Sequence, residues 1–151
     1  MIKIDGRDRE AVVALETQFS RFGDYGPQLK ITEEMIRTYA DESGDFNPRH
    51  IKDGIAHGDL LLQKLPLLRP SPLFQLIYVE DPFKMRAEQN FPHVVLVGDT
   101  IYGRERVSRV FYKKQRFLLT FEYEVRVSNY EDKIALKGTV TLRYPLESNC
   151  E

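Results

Sequence analysis

From Ile31 onward the apolar positions are periodic enough to place elements. Met35, Ile36, Tyr39 and Ala40 recur at helical spacing. Thr32 stands where a helix N-cap is needed, and Glu33 and Glu34 in the first turn suit the helix dipole. Gly44 makes a stop, so the spacing predicts an amphipathic helix over 32–43. In "DLLLQKLPLLRP", Leu60, Leu61, Leu62, Leu65, Leu67 and Leu68 leave almost no polar face. That pattern predicts a helix over 56–65 surrounded by protein, ended or kinked by Pro66. Beyond Pro72 the period changes to two. "FQLIYVE" and "FKMRAEQNF" suit strands, and "GDTIYGRERVSRVFY" suits a long, mostly polar one. "FLLTFEYEVRV" puts Phe117, Leu119, Phe121, Tyr123, Val125 and Val127 on one face. "IALKGTVTLRY" does the same with Ile134, Leu136, Val140, Leu142 and Tyr144, and "SNYEDK" links the two as a hairpin turn. Residues 1–29 are less legible: "AVVALETQF" suits a short helix and "FGDYGPQ" a loop.

The order is a helix, a buried helix, then an antiparallel meander with one apolar face. Such a face has to be covered, and the 56–65 helix is the element apolar enough to cover it. The expectation is an α+β fold in which an antiparallel β-sheet wraps around a central buried helix. A length of 151 residues without repeats or linker-like shifts suits one domain, 1–151, with 1–29 as an N-terminal extension. The formal net charge of −1 supplies no basic field, which argues against nucleic acid as a partner. Cys150 is the only cysteine, so no internal disulfide forms, as suits a reducing compartment. "MIKIDGRDRE" is too charged for a secretory signal, and no apolar run approaches membrane-spanning length. A cytoplasmic protein without membrane association is expected.

Candidate chemistry concentrates in "SGDFNPRHIKDGIAHGDLL", residues 43–61, which holds two of the three histidines. Asp45 and Asn47 suit Asx turns, Asn-Pro is a common turn initiator, and His50 is compatible with an ordinary exposed side chain. The same residues also suit a carboxylate and an imidazole converging to hold a water and exchange protons with a substrate. Gly58 falls at the start of the second helix, where unpaired amides and the dipole favour negative charge such as a developing thioester oxyanion. Equally, Gly58 serves tight packing and His57 caps the helix.

"TEEMIRTYADESGDFNPRH", "IAHG" and "VVLVGDTI" together resemble the MaoC-like hydratases, the group of (R)-specific enoyl-CoA hydratases and 3-hydroxyacyl dehydratases. The match runs from about Ile31 to Pro145, and D-x-N-P-x-H followed by I-A-H-G is its most specific part. The resemblance implies a hot-dog fold and a homodimer or higher oligomer. It implies an acyl-CoA or acyl-carrier-protein thioester as substrate, with Asp45 and His50 as catalytic pair and the Gly58 amide as oxyanion donor. Asn47 would shape the loop, His57 would line or buttress the site, and no metal or other cofactor is called for.

Three features depart from the family pattern. Only "IKDG" separates His50 from Ile55, where family members carry a much longer segment. Asp59 stands where an apolar methionine is common, and Pro66 where some members have a polar pocket residue. A thioesterase on the same fold, with Asp59 or Asp45 as base, and a non-catalytic acyl-thioester-binding or assembly subunit are the rival readings. "GRERVSRVFYKKQR" carries six basic residues and one acid, and suits either a solvated strand and turn or a patch for phosphates or an acidic carrier. His93 is most simply a strand-end histidine.

Overall fold

The computed structural model describes residues 4–68, 77–78, 83–113, 116–128 and 133–145. Its main sheet is antiparallel, in the order β2 (Leu29–Lys30), β5 (Thr100–Lys113), β6 (Arg116–Val127), β7 (Lys133–Pro145), β4 (Phe83–Asn90). β5, β6 and β7 form the meander that the alternation predicts, with Val127 paired to Lys133 across the second hairpin; residues 129–132 of that turn lie outside the described residues. Phe117, Leu119, Phe121, Tyr123, Val125 and Val127 are all buried on one face. β5 needs a correction of phase to match them. Val107 pairs with Phe121 but Val110 with Leu119, so a bulge at Ser108 turns Val110 and Tyr112 inward where strict alternation would have inserted Arg109 and Phe111.

The apolar face has two covers. α4 (Gly58–Leu68) places Leu60, Leu61, Leu65 and Leu68 against Ile101, Tyr123, Val125, Val127 and Leu136. α1 (Arg9–Gln18) places Val12 and Leu15 against Val107, Phe117, Leu119, Phe121 and Tyr144, over the other end. The N-terminal segment is therefore half of the roof rather than an appendage. Asp8 caps α1 by accepting from the Ala11 amide. Apart from the main sheet, β1 (Ile4–Asp5) and β3 (Ile77–Tyr78) pair in parallel. The rest of the expected "FQLIYVE" strand lies outside the described residues.

α4 corrects two expectations. It continues through Pro66 to Leu68, and it is not apolar-packed all round, since Leu67 is 60% exposed. Both follow from where Pro66 sits: on the solvent side of the helix, water can satisfy the carbonyl that loses its partner. Leu65 and Leu68 meanwhile anchor the last turn in the core. α2 (Glu33–Ser43) has the expected ends. Thr32 accepts from the Met35 amide, and Gly44 closes the helix in the left-handed region at φ +78°, a conformation open to glycine at little cost. No helix among the described residues is long and apolar enough to cross a membrane.

Candidate active site

The chain leaves α2 at Gly44 and immediately folds back through a series of local hydrogen bonds. The Ser43 hydroxyl accepts from the Asp45 amide, Asp45 Oδ1 from the Asn47 amide, and Asn47 Oδ1 from the Arg49 amide at 3.0 Å. Asn47 thus caps a one-turn helix, α3 (Pro48–Ile51), with Pro48 in the first turn, where its missing N–H costs nothing. This turn brings His50 back toward Asp45. Gly54, at φ +72° and with Val97 3.3 Å from where a Cβ would stand, then reverses the chain. The Ile55 amide returns to Arg49 O at 3.0 Å, and the Ala56 amide pairs with Val95 O at 2.7 Å. These bonds deliver His57 and Gly58 to the start of α4.

Three polar side chains converge there. His50 Nδ1 donates to Ile55 O at 2.7 Å, which fixes a proton on that nitrogen and turns Nε2 toward Asp45. The Nε2 to Asp45 Oδ2 separation is 3.6 Å, too long for a good direct hydrogen bond but short enough for one water to touch both. His57 Nε2 lies 3.0 Å from the Asp45 main-chain oxygen and 4.0 Å from Oδ2. Its ring stacks on that of His50, centroids 3.7 Å apart and 21° from parallel. Burial grades across the three: side-chain exposure is 48% for Asp45, 11% for His50 and 3% for His57.

Tyr39 of α2 also packs against His57, ring centroids 4.7 Å apart and 55° from parallel. Its hydroxyl is held above the ordinary phenol range, first by burial and then by the charges of Asp59, Asp45 and Glu42. Asp59 therefore lends its charge to the Tyr39 side of the cluster. On the other side, the Phe91 ring lies only 3.0 Å from where a Cβ on Gly58 would stand. The amides of Gly58 and Asp59 stand at the start of α4 ahead of its first main-chain bonds, which Leu60 and Leu61 make to His57 O. An open cleft of about 260 Å³, lined by Ile36, Arg37, His50, Lys52, Gly54 and Val97 among others, reaches His50 from the α2 side.

Asp45, His50 and His57 put three potential ligand atoms within 4.8 Å of one another. The stacking works against one ion using both imidazoles. A ring nitrogen coordinates in its own ring plane, and two nearly parallel planes do not meet at a metal–nitrogen distance of about 2 Å.

Of the residues singled out in the sequence, Asp45, His50 and His57 meet, and Gly58 follows as the first residue of α4. Asn47 spends its side-chain oxygen on the α3 cap. Tyr39 and Phe91 are additions that no local motif marks. Two cations of the basic segment are neutralised: Arg104 donates to Glu124 at 2.7 Å, beside Arg126 at 3.1 Å, and Arg106 pairs with Glu122. Arg104 also lies under the rings of Phe22 and Tyr25, 4.8 and 4.6 Å from their centroids. Those guanidiniums are structural members of the sheet's outer face. His93 lies beyond the end of β4, with Nδ1 2.7 Å from Val94 O.

No protein-family model and no curated protein matches the sequence. Solved structures do match in shape. A monoamine oxidase regulatory protein from Archaeoglobus fulgius is similar at TM-score 0.70 and 19% identity, over 98% of this chain and 100% of that one. The (R)-hydratase from A. caviae involved in PHA biosynthesis is similar at TM-score 0.64 and 19% identity, over 83% and 97%. The ChsH1–ChsH2 complex from Mycobacterium tuberculosis is similar at TM-score 0.71 and 15% identity, over 90% and 94%. At these identities the likeness is one of fold, and the chain has the α+β hot-dog fold found in MaoC-like dehydratases and (R)-hydratases.

Proposed function

We propose that this chain is a single-domain, MaoC-like hydratase/dehydratase of acyl thioesters, adding water (R)-specifically to a 2-enoyl thioester or removing it from a 3-hydroxyacyl thioester. The observation that carries the reading is the 3.6 Å gap between Asp45 Oδ2 and His50 Nε2, with the His50 ring aimed by its Ile55 hydrogen bond. In hydration a water bridges the two groups and gives up a proton to the pair as its oxygen attacks the β-carbon. The pair then returns a proton to the α-carbon, so the product gains one H and one OH and the dyad is restored. Negative charge that builds on the thioester oxygen is received by the Gly58 amide at the positive end of α4. Positioning and preorganised dipoles supply the rate enhancement, and no metal or other cofactor takes part.

The substrate in this reading is an acyl-CoA or acyl-carrier-protein thioester, and the working form is a homodimer or larger hot-dog assembly in the cytoplasm. The half-exposed side of Asp45 is where a second subunit would narrow the site. Incubation with short- and medium-chain enoyl-CoAs should bleach the conjugated thioester absorbance, and Asp45→Asn should abolish that loss. Absence of turnover at every chain length, or unchanged turnover in Asp45→Asn, overturns the proposal. Release of free thiol from saturated acyl-CoA would instead identify a thioesterase.

A further inference from the structure

Among the described residues His57 is the most deeply buried histidine. It is 3% exposed, stacked on the His50 ring and in contact with the tilted ring of Tyr39. Its Nδ1 has no hydrogen-bond partner. That asymmetry identifies the protonation state. A proton on Nδ1 would bury a donor without an acceptor, and a bare Nε2 would set a lone pair against the Asp45 carbonyl oxygen 3.0 Å away. The ring that satisfies both constraints is neutral, with its proton on Nε2.

Resting on the hydratase reading above, we propose that His57 is the positioning residue of the Asp45–His50 pair. Its Nε2–H holds the Asp45 main chain, and its ring fixes the plane of His50 by stacking. The two holds act on the two ends of the 3.6 Å gap where the water has to sit. The stack has a second consequence. When His50 carries the extra proton during turnover, that charge lies 3.7 Å above the face of a neutral imidazole, where the π-electrons stabilise it. A purely steric filler would not do this. The titratable groups in contact with His57 are Asp45 on the loop, His50 on α3 and Tyr39 on α2, and the charges of Asp59 on α4 and Glu42 on α2 act on Tyr39.

Two variants separate the two holds. His57→Phe keeps a flat ring over His50 but loses the donor to Asp45, whereas His57→Gln keeps a donor and loses the stack. Each is expected to lower kcat about tenfold to a hundredfold with KM nearly constant, because misplacement of reacting groups rather than binding is affected. His57→Gln is further expected to change the shape of the kcat–pH profile, since the protonated His50 loses its aromatic neighbour. Ring ¹⁵N shifts of the wild-type protein should report the neutral His57 ring as the Nε2–H tautomer, a measurement that needs neither substrate nor a folded variant. An Nδ1–H tautomer in that spectrum overturns the proposal, as do folded variants with wild-type kcat and pH profile. A wild-type protein inactive on every enoyl-CoA would remove the hydratase reading, while the ring measurement still decides the His57 hydrogen bond.

Discussion

Gly58→Ala separates stability from chemistry at the start of α4. A Cβ at this position stands 3.0 Å from Phe91 Cε1 and Cζ and 3.3 Å from Cδ1. Ordinary carbon–carbon contact is about 3.5–4.0 Å, so the ring has to retreat by roughly half an ångström. It has room, because Phe91 is 44% exposed and its ring is the far end of a side chain. Crowding costs about 1 kcal/mol. Replacing glycine within a helix returns roughly 0.5–1 kcal/mol. The two nearly cancel, so Tm should move by no more than about 4 °C for a chain of this size. Activity should respond quite differently. A helical Cβ tilts toward the N-terminus, which at the first residue of α4 is the direction in which the Gly58 amide points. A methyl there crowds the oxygen that the amide has to receive, and kcat/KM should fall about tenfold to a hundredfold, or roughly 1.4–2.7 kcal/mol. Thermal melts and enoyl-CoA hydration assays on Gly58→Ala, Phe91→Ala and the double variant complete the test. Full activity in Gly58→Ala refutes the amide as oxyanion donor. Recovery of activity in the double variant also refutes it, by showing that displacement of Phe91 was the cause of the loss.

Two further predictions concern the frame around the site. Burial by itself would raise the Glu124 carboxyl, but hydrogen bonds and charge from Arg104 and Arg126 outweigh it and hold the group below its ordinary value of 4.5. A depressed folded-state pKa stabilises above the unfolded value and is lost as pH falls through the folded one. The wild type should therefore lose stability on acidification below about pH 4.5 more steeply than Glu124→Gln, which at neutral pH should already be destabilised by roughly 1.5–3 kcal/mol through loss of the charge-assisted hydrogen bonds to the carboxylate. Denaturant titrations over pH 3–7 measure both, and parallel stability–pH curves would contradict the assignment. Leu15→Ala should cost roughly 2–5 kcal/mol, because Leu15 is 2% exposed beneath Phe117 and Tyr144. A loss under about 1 kcal/mol would mean that α1 is not part of the core.

What could be read from the sequence, and what could not, divides by the range of the interaction. Thr32 and Gly44 announce the ends of α2 because a cap is satisfied within three or four residues, and each does what its position predicts. The alternation in β6 is equally local, and so is the return of His50 toward Asp45, since the Asn47-Pro48 cap builds the intervening turn. The bulge at Ser108 is not local: it exists because Val110 has to meet Leu119 on the next strand, and nothing within β5 distinguishes Arg109 from an inward-facing residue. The partners of Arg104 and Arg106 are hidden for the same reason, since they find Glu124 and Glu122 only through the β5–β6 register. α1 presents just Val12 and Leu15 as its buried pair, a stripe too narrow to identify a core helix without Phe117 and Tyr144 a hundred residues later.

The site obeys the same division, and this bears on the short "IKDG" connection. Its four residues are enough to finish α3, turn at Gly54 and run Ile55 and Ala56 beside Leu96 and Val95, so the imidazoles stack without any longer segment. A longer connection is therefore not needed to assemble Asp45, His50 and His57. What the short connection leaves unbuilt is a wall, and the openness shows on Asp45, at 48% exposed, rather than on His50 or His57. Water has ready access to such a carboxylate, which weakens charge interactions there relative to a closed site. If a second subunit or the acyl chain itself supplies the wall, the effect should appear in kcat/KM rather than in the geometry of the histidines. Activity should then rise with acyl chain length or with protein concentration, while the ring ¹⁵N signature of His57 stays constant. A His57 signature that changes with either would show that the wall also organises the imidazoles, and that the stack is not complete in the isolated chain.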